Sequence, residues 1–429
     1  MSYLENGGAT STGSASTEVV GASATANCEA PGYLARQPIL DRRGTVFGYE
    51  LHFHSPIQAP ARAPLYDASR GLLDALAIYG VERFTAGTRA FLDCTADMLV
   101  DGAWEGLPPA NVVLEIPAAS EQAPRLVRAC RTLHQAGFQL AAANFNAAHI
   151  TDELLALVDF VKVDESVLEG PEWDRVCRRI FGSHSTVIAA NIHTQDSYSR
   201  ARALGIRYFQ GFYFCNPEFI PSGKIPAHRA HQVQILRQLF RDPLDLKTLC
   251  PLVMADPSVV YRVLRFVNSP LCAVRETVTS VEAAIMILGD NTFRCIATLA
   301  IQCSLSQGQP PELLNMALVR ARFCAAAAPL CGLDSDEQYL LGMLSLLPPM
   351  LQLPMSSILP QLPLRKEMRE ALAGTPTKER ALLSWIEHLE EDRISGCEAI
   401  VLEHNLDRSK LAELYFNALQ PDPNLTLTD

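Results

Sequence analysis

The apolar positions divide the chain into three stretches. Residues 1 to about 30 are mostly Ser, Thr, Ala and Gly and show no apolar period. Such a segment cannot bury enough surface to offset the entropy of ordering, so 1–30 is expected to be a disordered tail. From Tyr33 the pattern becomes regular. YLARQPIL and TVFGYELHFH are extended runs, and the DRRG between them supplies a Gly turn, which predicts a hairpin. LYDASRGLLDALAIYG then has apolar residues at helical spacing. FLDCT, NVVLEIP, QLAAANF, FVKVD, TVIAANI and YFQGFYF read as short strands. The segments between them, among them APRLVRACRTLHQAG, DELLALV, EWDRVCRRIFG and TQDSYSRARALG, read as helices. Gly137 just past the first of these is a C-terminal stop.

Strands alternating with helices imply parallel βαβ units. Over this length a closed (β/α) barrel is expected rather than an open sheet, with function at the C-terminal ends of the strands. After Pro226 the strands stop. AHQVQILRQLFR, LKTLCPLVMA, SVVYRVLRFVN, SVEAAIMIL and nearly everything to Asn417 read as helical. The expected organisation is α/β plus all-α: a TIM-like barrel over 31–225, then an all-helical domain over 230–425. QPDPNLTLTD is polar and expected to fray.

Charge narrows the chemistry. Lys+Arg number 36 and Asp+Glu 47, a net charge of −11 with no basic block. That argues against general nucleic-acid binding, which needs phosphate neutralisation, and against a polybasic membrane anchor. The N-terminus lacks the basic and apolar regions of a secretory signal, and no uninterrupted apolar run reaches membrane length, so a soluble cytoplasmic protein is expected. None of the twelve cysteines pairs at Cys-x-x-Cys spacing, and most sit in apolar runs, so they read as reduced core thiols. His228 and His231 share a spacing of three and read as a solvated helix start. Trp385 in LLSWIEHLEED reads as core, and EHLEED as a solvated face. Gly289 reads as a helix stop, and Asn268-Ser269-Pro270 as a capping turn.

LARQPILDRRGTVFGYEL, VKVD and YFQGFYF resemble the EAL family, the cyclic-di-GMP phosphodiesterases. MADPSVVYRVLRFVNSP, VTSVEAAIMILGDNTFRCIATLA and ILPQLPL resemble the HDOD domain. The order matches the EAL–HDOD two-domain signalling proteins. The resemblance implies an EAL-type barrel, a ring of Glu, Asp and Asn holding divalent metals at the strand ends, a Lys near the attacking water and an Arg for the substrate phosphate.

Carried over residue by residue, the signature Glu falls on Glu50 and the Arg four residues on is His54 here. The Asn ligand falls on Asp93 and the next Glu on Glu115. The Asp-Asp pair falls on Ala143 and Asn144. The Lys-x-Asp falls on Lys162 and Asp164. Glu-Gly-Val-Glu falls on Ala190, Asn191, Ile192 and His193, and the Gln on Gln210. Glu50, Asp93, Glu115, Lys162 and Gln210 are therefore read as vestigial positions, and the set as lost at His54, Ala143, Asn144, Ala190 and His193. Alanine has no donor atom, and a mostly neutral His lacks the bidentate fork of Arg. Glu50 and Lys162 are expected to form an ion pair at the barrel mouth. In the helical half, the His-Asp pair of the hydrolase fold that HDOD resembles falls on Ser345 and Leu346, and no His lies between His231 and His388.

The expectation is a non-catalytic signalling adaptor, with no metal, no cofactor and no tight cyclic-di-GMP binding. It would work through protein partners, and the resemblance also implies self-association. Two other readings stay open. One is a sensor that binds cyclic-di-GMP or another nucleotide through Glu50, Lys162 and Gln210 without cutting it. The other is a weak phosphodiesterase in which Asp93, Glu115 and Asp164 hold metal.

Overall fold

Eight strands close into a barrel in sequence order, and a helical half packs beside its mouth. The computed structural model describes residues 33–54, 76, 80–102, 104, 106–117, 123–145, 150–168, 170–180, 183–215, 227–272, 274 and 277–420. The expected N-terminal tail, most of the helix read at LYDASRGLLDALAIYG, and the final QPDPNLTLTD beyond Gln420 lie outside these residues.

The hairpin forms where the Gly turn predicts it. β1 (Tyr33–Asp41) and β2 (Val46–His54) pair antiparallel from Tyr33↔His54 onward. The Asp41 carboxylate accepts from the backbone N–H of Arg43 and Thr45 at 2.8 and 2.9 Å, and Gly44 takes φ 79°. This is the Asp and Gly chemistry of a tight turn. β3 (Arg89–Asp93), β4 (Val112–Pro117), β5 (Gln139–Ala143), β6 (Phe160–Asp164), β7 (Thr186–Ala190) and β8 (Tyr208–Gln210) follow in parallel register. β1 runs against both neighbours and closes the barrel by pairing Ile39 with Gln210.

The run YFQGFYF is a strand only as far as Gln210. At Gly211 the backbone takes φ 139° and passes so close to the Ile192 backbone that a Cβ would collide with it. The Tyr213 N–H donates to the Ile192 carbonyl at 3.1 Å, which folds Phe212–Phe214 across the barrel rim. DELLALV likewise shortens to one helical turn, Asp152–Leu155, started by the Thr151 hydroxyl.

The helical half is built from capped segments. Asp245 and Asp256 accept from the first-turn N–H groups of Leu246–Met254 and Pro257–Val267, and Ser280 does so for Val281–Leu288. Gly289 at φ 74° ends that last helix. Asn268 both donates to and accepts from the Val278 backbone, at 2.8 and 2.7 Å, which pins the turn after Val267. Pro311–Cys331 is long and apolar enough to cross a membrane by length and composition, yet 61% of its apolar window is buried inside the protein.

The two halves share one apolar core. Tyr33 of β1 meets Trp385 edge-on at 5.6 Å, and Trp385, fully buried as its pattern predicts, stacks on Phe323 at 4.9 Å. Such aromatic pairs add about 0.5–1.5 kcal/mol beyond the area they bury. Tyr49 donates to Glu312 across the boundary at 2.7 Å, and the Arg36 guanidinium lies over the Tyr49 ring.

Candidate functional site

Strand register builds the site in layers. Ile39, Phe91, Val113, Ala141, Phe160 and Ile188 fill the barrel interior as an apolar plug. Side chains two residues apart on a strand point the same way. Two residues beyond this plug, toward the strand ends, stand Asp93, Glu115, Ala143, Lys162 and Ala190, and Gln210 joins them from β8. With Glu50 and His52 of β2 they line one cavity of about 370 Å³. The sequence-derived positions Glu50, Asp93, Glu115, Ala143, Asn144, Lys162, Ala190, His193 and Gln210 are thus brought together at one barrel mouth. His54 ends β2 opposite Tyr33, and its side chain lies outside the described residues.

Lys162 is the centre of the site. Its ammonium donates to Glu50 Oε1 at 2.5 Å and to Glu115 Oε1 and Oε2 at 2.9 and 3.1 Å. The ion pair with Glu50 is therefore present, but it is half of a triad. All three side chains are buried. Gln210 donates to Glu50 Oε2 and to Gln37 Oε1. His52 Nε2 lies 3.3 Å from Glu50 Oε2.

Two carboxylates share one ammonium, and their surroundings separate them. Burial pushes the Glu50 carboxyl up, but Lys162 and His52 outweigh this and hold it well below the usual range. Burial and then the Glu50 charge push Glu115 up to about 8, against the pull of Lys162. Burial opposes charge on Lys162, but the Glu115 and Glu50 carboxylates raise it and keep it an ammonium. Burial also disfavours an imidazolium at His52, and Glu50 overcomes this to raise it to about 9. Asp93 is raised by burial and by Glu50. Asp164 stands apart. Its carboxylate accepts from Ser166 and from Asn191 Nδ2, at 2.9 and 2.6 Å for the closest contacts to each backbone or amide nitrogen.

Two features escaped the sequence. His52 lies on the same face of β2 as Glu50, so period-two reasoning from Glu50 would have found it. The other is the far wall. Glu390, Glu391 and Asp392, where the helix Ala381–Glu390 ends, line the cavity from the helical half. EHLEED is therefore not simply a solvated face. Glu390 is buried and receives the Arg320 guanidinium at 2.6 and 3.0 Å. Arg320 Nη1 also donates to Ser345, so the position read against the hydrolase His-Asp pair holds a structural hydroxyl. His231 is likewise partly buried, bonded at 3.0 Å to the Leu252 carbonyl rather than solvated.

Comparison with known proteins supplies the context. Residues 96–217 match the EAL domain, and 225–372 the HDOD domain. Glu50 and Asp93 lie upstream of the matched EAL segment. The chain is 26% identical over 410 residues to the uncharacterized protein YuxH of Bacillus subtilis, covering 92% of this chain and 98% of that protein. It is 28% identical over 386 residues to a protein of Vibrio cholerae named cyclic di-GMP phosphodiesterase CdgJ, covering 87% of this chain and 88% of that one. Among solved structures, BlrP1 of Klebsiella pneumoniae in its calcium/cy-diGMP complex aligns with 43% of this chain and 55% of its own, at 22% identity and a TM-score of 0.36.

Proposed function

We propose, for a chain that joins an EAL domain to an HDOD domain and so belongs to cyclic-di-GMP signalling, that it hydrolyses nothing and acts through protein contacts. One observation carries this reading. The ammonium of Lys162 sits between Glu50 and Glu115, while Ala143 and Ala190, on the strands either side of Lys162, offer no donor atom. A pair of divalent cations needs several carboxylate oxygens free to bridge them. Here the buried acids are engaged by Lys162 and Gln210, Asp164 at the end of β6 is engaged by Ser166 and Asn191, and Asp93 is the further strand-end carboxylate that lines the cavity. This donor set does not fit two metals, so no hydrolytic step is derived through them.

The outer surface of the helical half favours protein contacts. Met254, Tyr261, Met286 and Ile287 are exposed by 59, 58, 77 and 49%, on three helices that pack against one another. Exposed large apolar side chains on neighbouring helices are what an interaction surface would use.

The test is an incubation of the full chain with cyclic-di-GMP and magnesium or manganese. No linear dinucleotide is expected. Appearance of that product with enzyme-like turnover, abolished by Glu115→Gln, would defeat the proposal in favour of a phosphodiesterase like the one CdgJ is named for. Calorimetry on the same samples is expected to show no heat of nucleotide binding.

A further inference from the structure

At the end of the barrel opposite the mouth, an apolar cleft opens between two elements of the helix layer. The loop Leu204–Arg207, which joins the helix Gln195–Ala203 to β8, forms one side of a cavity of about 410 Å³. The helix Gly170–Ile180 forms the other with Trp173, Cys177 and Ile180, which share one helical face. Val187, near the start of β7, also lines it. The cleft is open to solvent. Leu204 is 41% exposed, Cys177 is exposed, and Trp173 and Val187 are only partly buried.

The same loop gathers positive charge. Arg207 lines the cleft. Arg42 Nε donates to the Ile206 carbonyl at 2.7 Å, and Arg43 follows it in the turn that the Asp41↔Tyr208 pairing holds against the loop. Arg202 stands on the last turn before the loop, where its carbonyl accepts from the Gly205 N–H at 3.1 Å. All four arginines are exposed, and among the described residues none has an ion-pair partner. Exposed Arg175, Arg200 and Arg365, by contrast, each hold a carboxylate. The acids at this end of the strands are spent. Asp41 accepts from the backbone N–H of Arg43 and Thr45, and Asp159 from that of Leu140. Across the cleft stand Asp174 and the Arg175–Glu172 pair. Four unpaired guanidinium groups on a chain of net charge −11 repel one another and attract an anionic partner. Their planar forks match carboxylates, and the cleft beside them takes an apolar anchor. Nucleic-acid phosphates would meet the arginines and leave the cleft unfilled.

We propose that the cleft between the helix Gly170–Ile180 and the loop Leu204–Arg207 docks an acidic amphipathic segment of a partner protein. A large apolar side chain of that segment enters beside Trp173 and Leu204, and its carboxylates meet Arg42, Arg43, Arg202 and Arg207. The inference rests on the reading that the chain works through protein contacts. Its failure would leave the absence of hydrolysis, which is tested at the other end of the barrel, where it stands.

The exposed thiol of Cys177 lies in the cleft and serves as the reporter. The full chain is alkylated with iodoacetamide, and modification at Cys177 is followed by peptide mass. The probe is a peptide of roughly 16 residues with Leu at helical spacing and Glu elsewhere. At saturation it is expected to slow alkylation of Cys177 at least about tenfold, because the occupied cleft excludes the reagent. The same Leu pattern on a Lys background should give no protection, and neither should a Glu peptide with Ser in place of Leu. Arg202→Glu with Arg207→Glu should raise the peptide concentration needed for half protection by about tenfold or more, as loss of two exposed ion pairs implies. Leu204→Ser, at an exposed position, should weaken protection while leaving the arginines in place. No protection by the Glu–Leu peptide at about 1 mM, or equal protection by the Lys peptide, would overturn the proposal. So would stronger protection by duplex DNA or by anionic phospholipid vesicles, which would give the arginines to phosphate instead.

Discussion

Replacing Lys162 by Met tests whether the mouth is held together or merely furnished by its charges. The ammonium has three contacts between 2.5 and 3.1 Å, all with buried carboxylates. Lys162→Met preserves much of the side-chain volume and removes the only charge that Glu50 and Glu115 share. Breaking a buried pair by deleting one partner costs about 3–5 kcal/mol, because the other charge is left uncompensated. The stranded charge differs with pH. Glu115, pushed up to about 8, is already mostly neutral at pH 7, so the charge left uncompensated there is that of Glu50 and the cost should lie near about 3 kcal/mol. At pH 9 Glu115 is ionised beside Lys162 as well, and the cost of removing the ammonium should be larger. The assay is urea unfolding followed by fluorescence. Trp104 and Trp173 belong to the barrel and Trp385 to the helical half, so a Trp385→Phe background isolates the barrel transition in a protein that need not unfold in one step. A companion variant, Lys162→Met with Glu50→Gln and Glu115→Gln, should recover to within about 1 kcal/mol of wild type, since exchanging a whole buried ion set for neutral groups is near neutral. If Lys162→Met alone costs less than about 1 kcal/mol, the triad does not hold the mouth, and the case that its acids are spent on structure fails.

Other outcomes follow from the same geometry. His52 is raised in the folded protein to about 9 against an ordinary value near 6.5, so its stabilisation is complete below about 6.5 and lost as pH rises through 9. Glu115, raised to about 8, also favours the folded state less as pH climbs from about 4.5 to 8. Tm should therefore fall between pH 6.5 and 9, and His52→Gln should flatten the upper part of that fall; an unchanged slope would contradict the charge assignment. Gly211→Ala forces a Cβ into the Ile192 backbone and should destabilise the barrel by more than about 2 kcal/mol, whereas Gly106→Ala, with open space around it, should cost about 1 kcal/mol for its backbone strain alone. Equal costs in denaturant midpoints would show that the rim turn is not tightly packed. Among the described thiols Cys177 is the exposed one, so it should react first with a thiol reagent in the native protein, and Cys177→Ser should remove that phase.

The barrel was readable because its information is local. Alternation along NVVLEIP and FVKVD fixes which residues face inward, and the two-residue step from Phe91, Val113, Phe160 and Ile188 carries the eye to Asp93, Glu115, Lys162 and Ala190. The Asp41 turn is written in four consecutive residues. What sequence could not supply is contact between distant segments. EHLEED has the pattern of an exposed helix face, and Glu390 is buried only because Arg320, on another helix, meets it. YFQGFYF has strand composition throughout, yet it bends where Ile192 crosses beneath Gly211. The Glu390–Asp392 wall of the cavity lies in the other half of the chain, beyond the reach of any period.

The way the barrel closes bears on how the protein is made. β1 is made before the other barrel strands, and its second edge pairs with residues 208–210. While β3 to β7 emerge from the ribosome, the hairpin displays an unpaired row of N–H and C=O groups, an invitation to wrong partners. Tyr33 waits longer still, since Trp385 is made only after the last barrel strand. A nascent chain halted in the helical half would thus hold a closed barrel with an unsheathed aromatic at its seam, a species that chaperones or a second copy could seize.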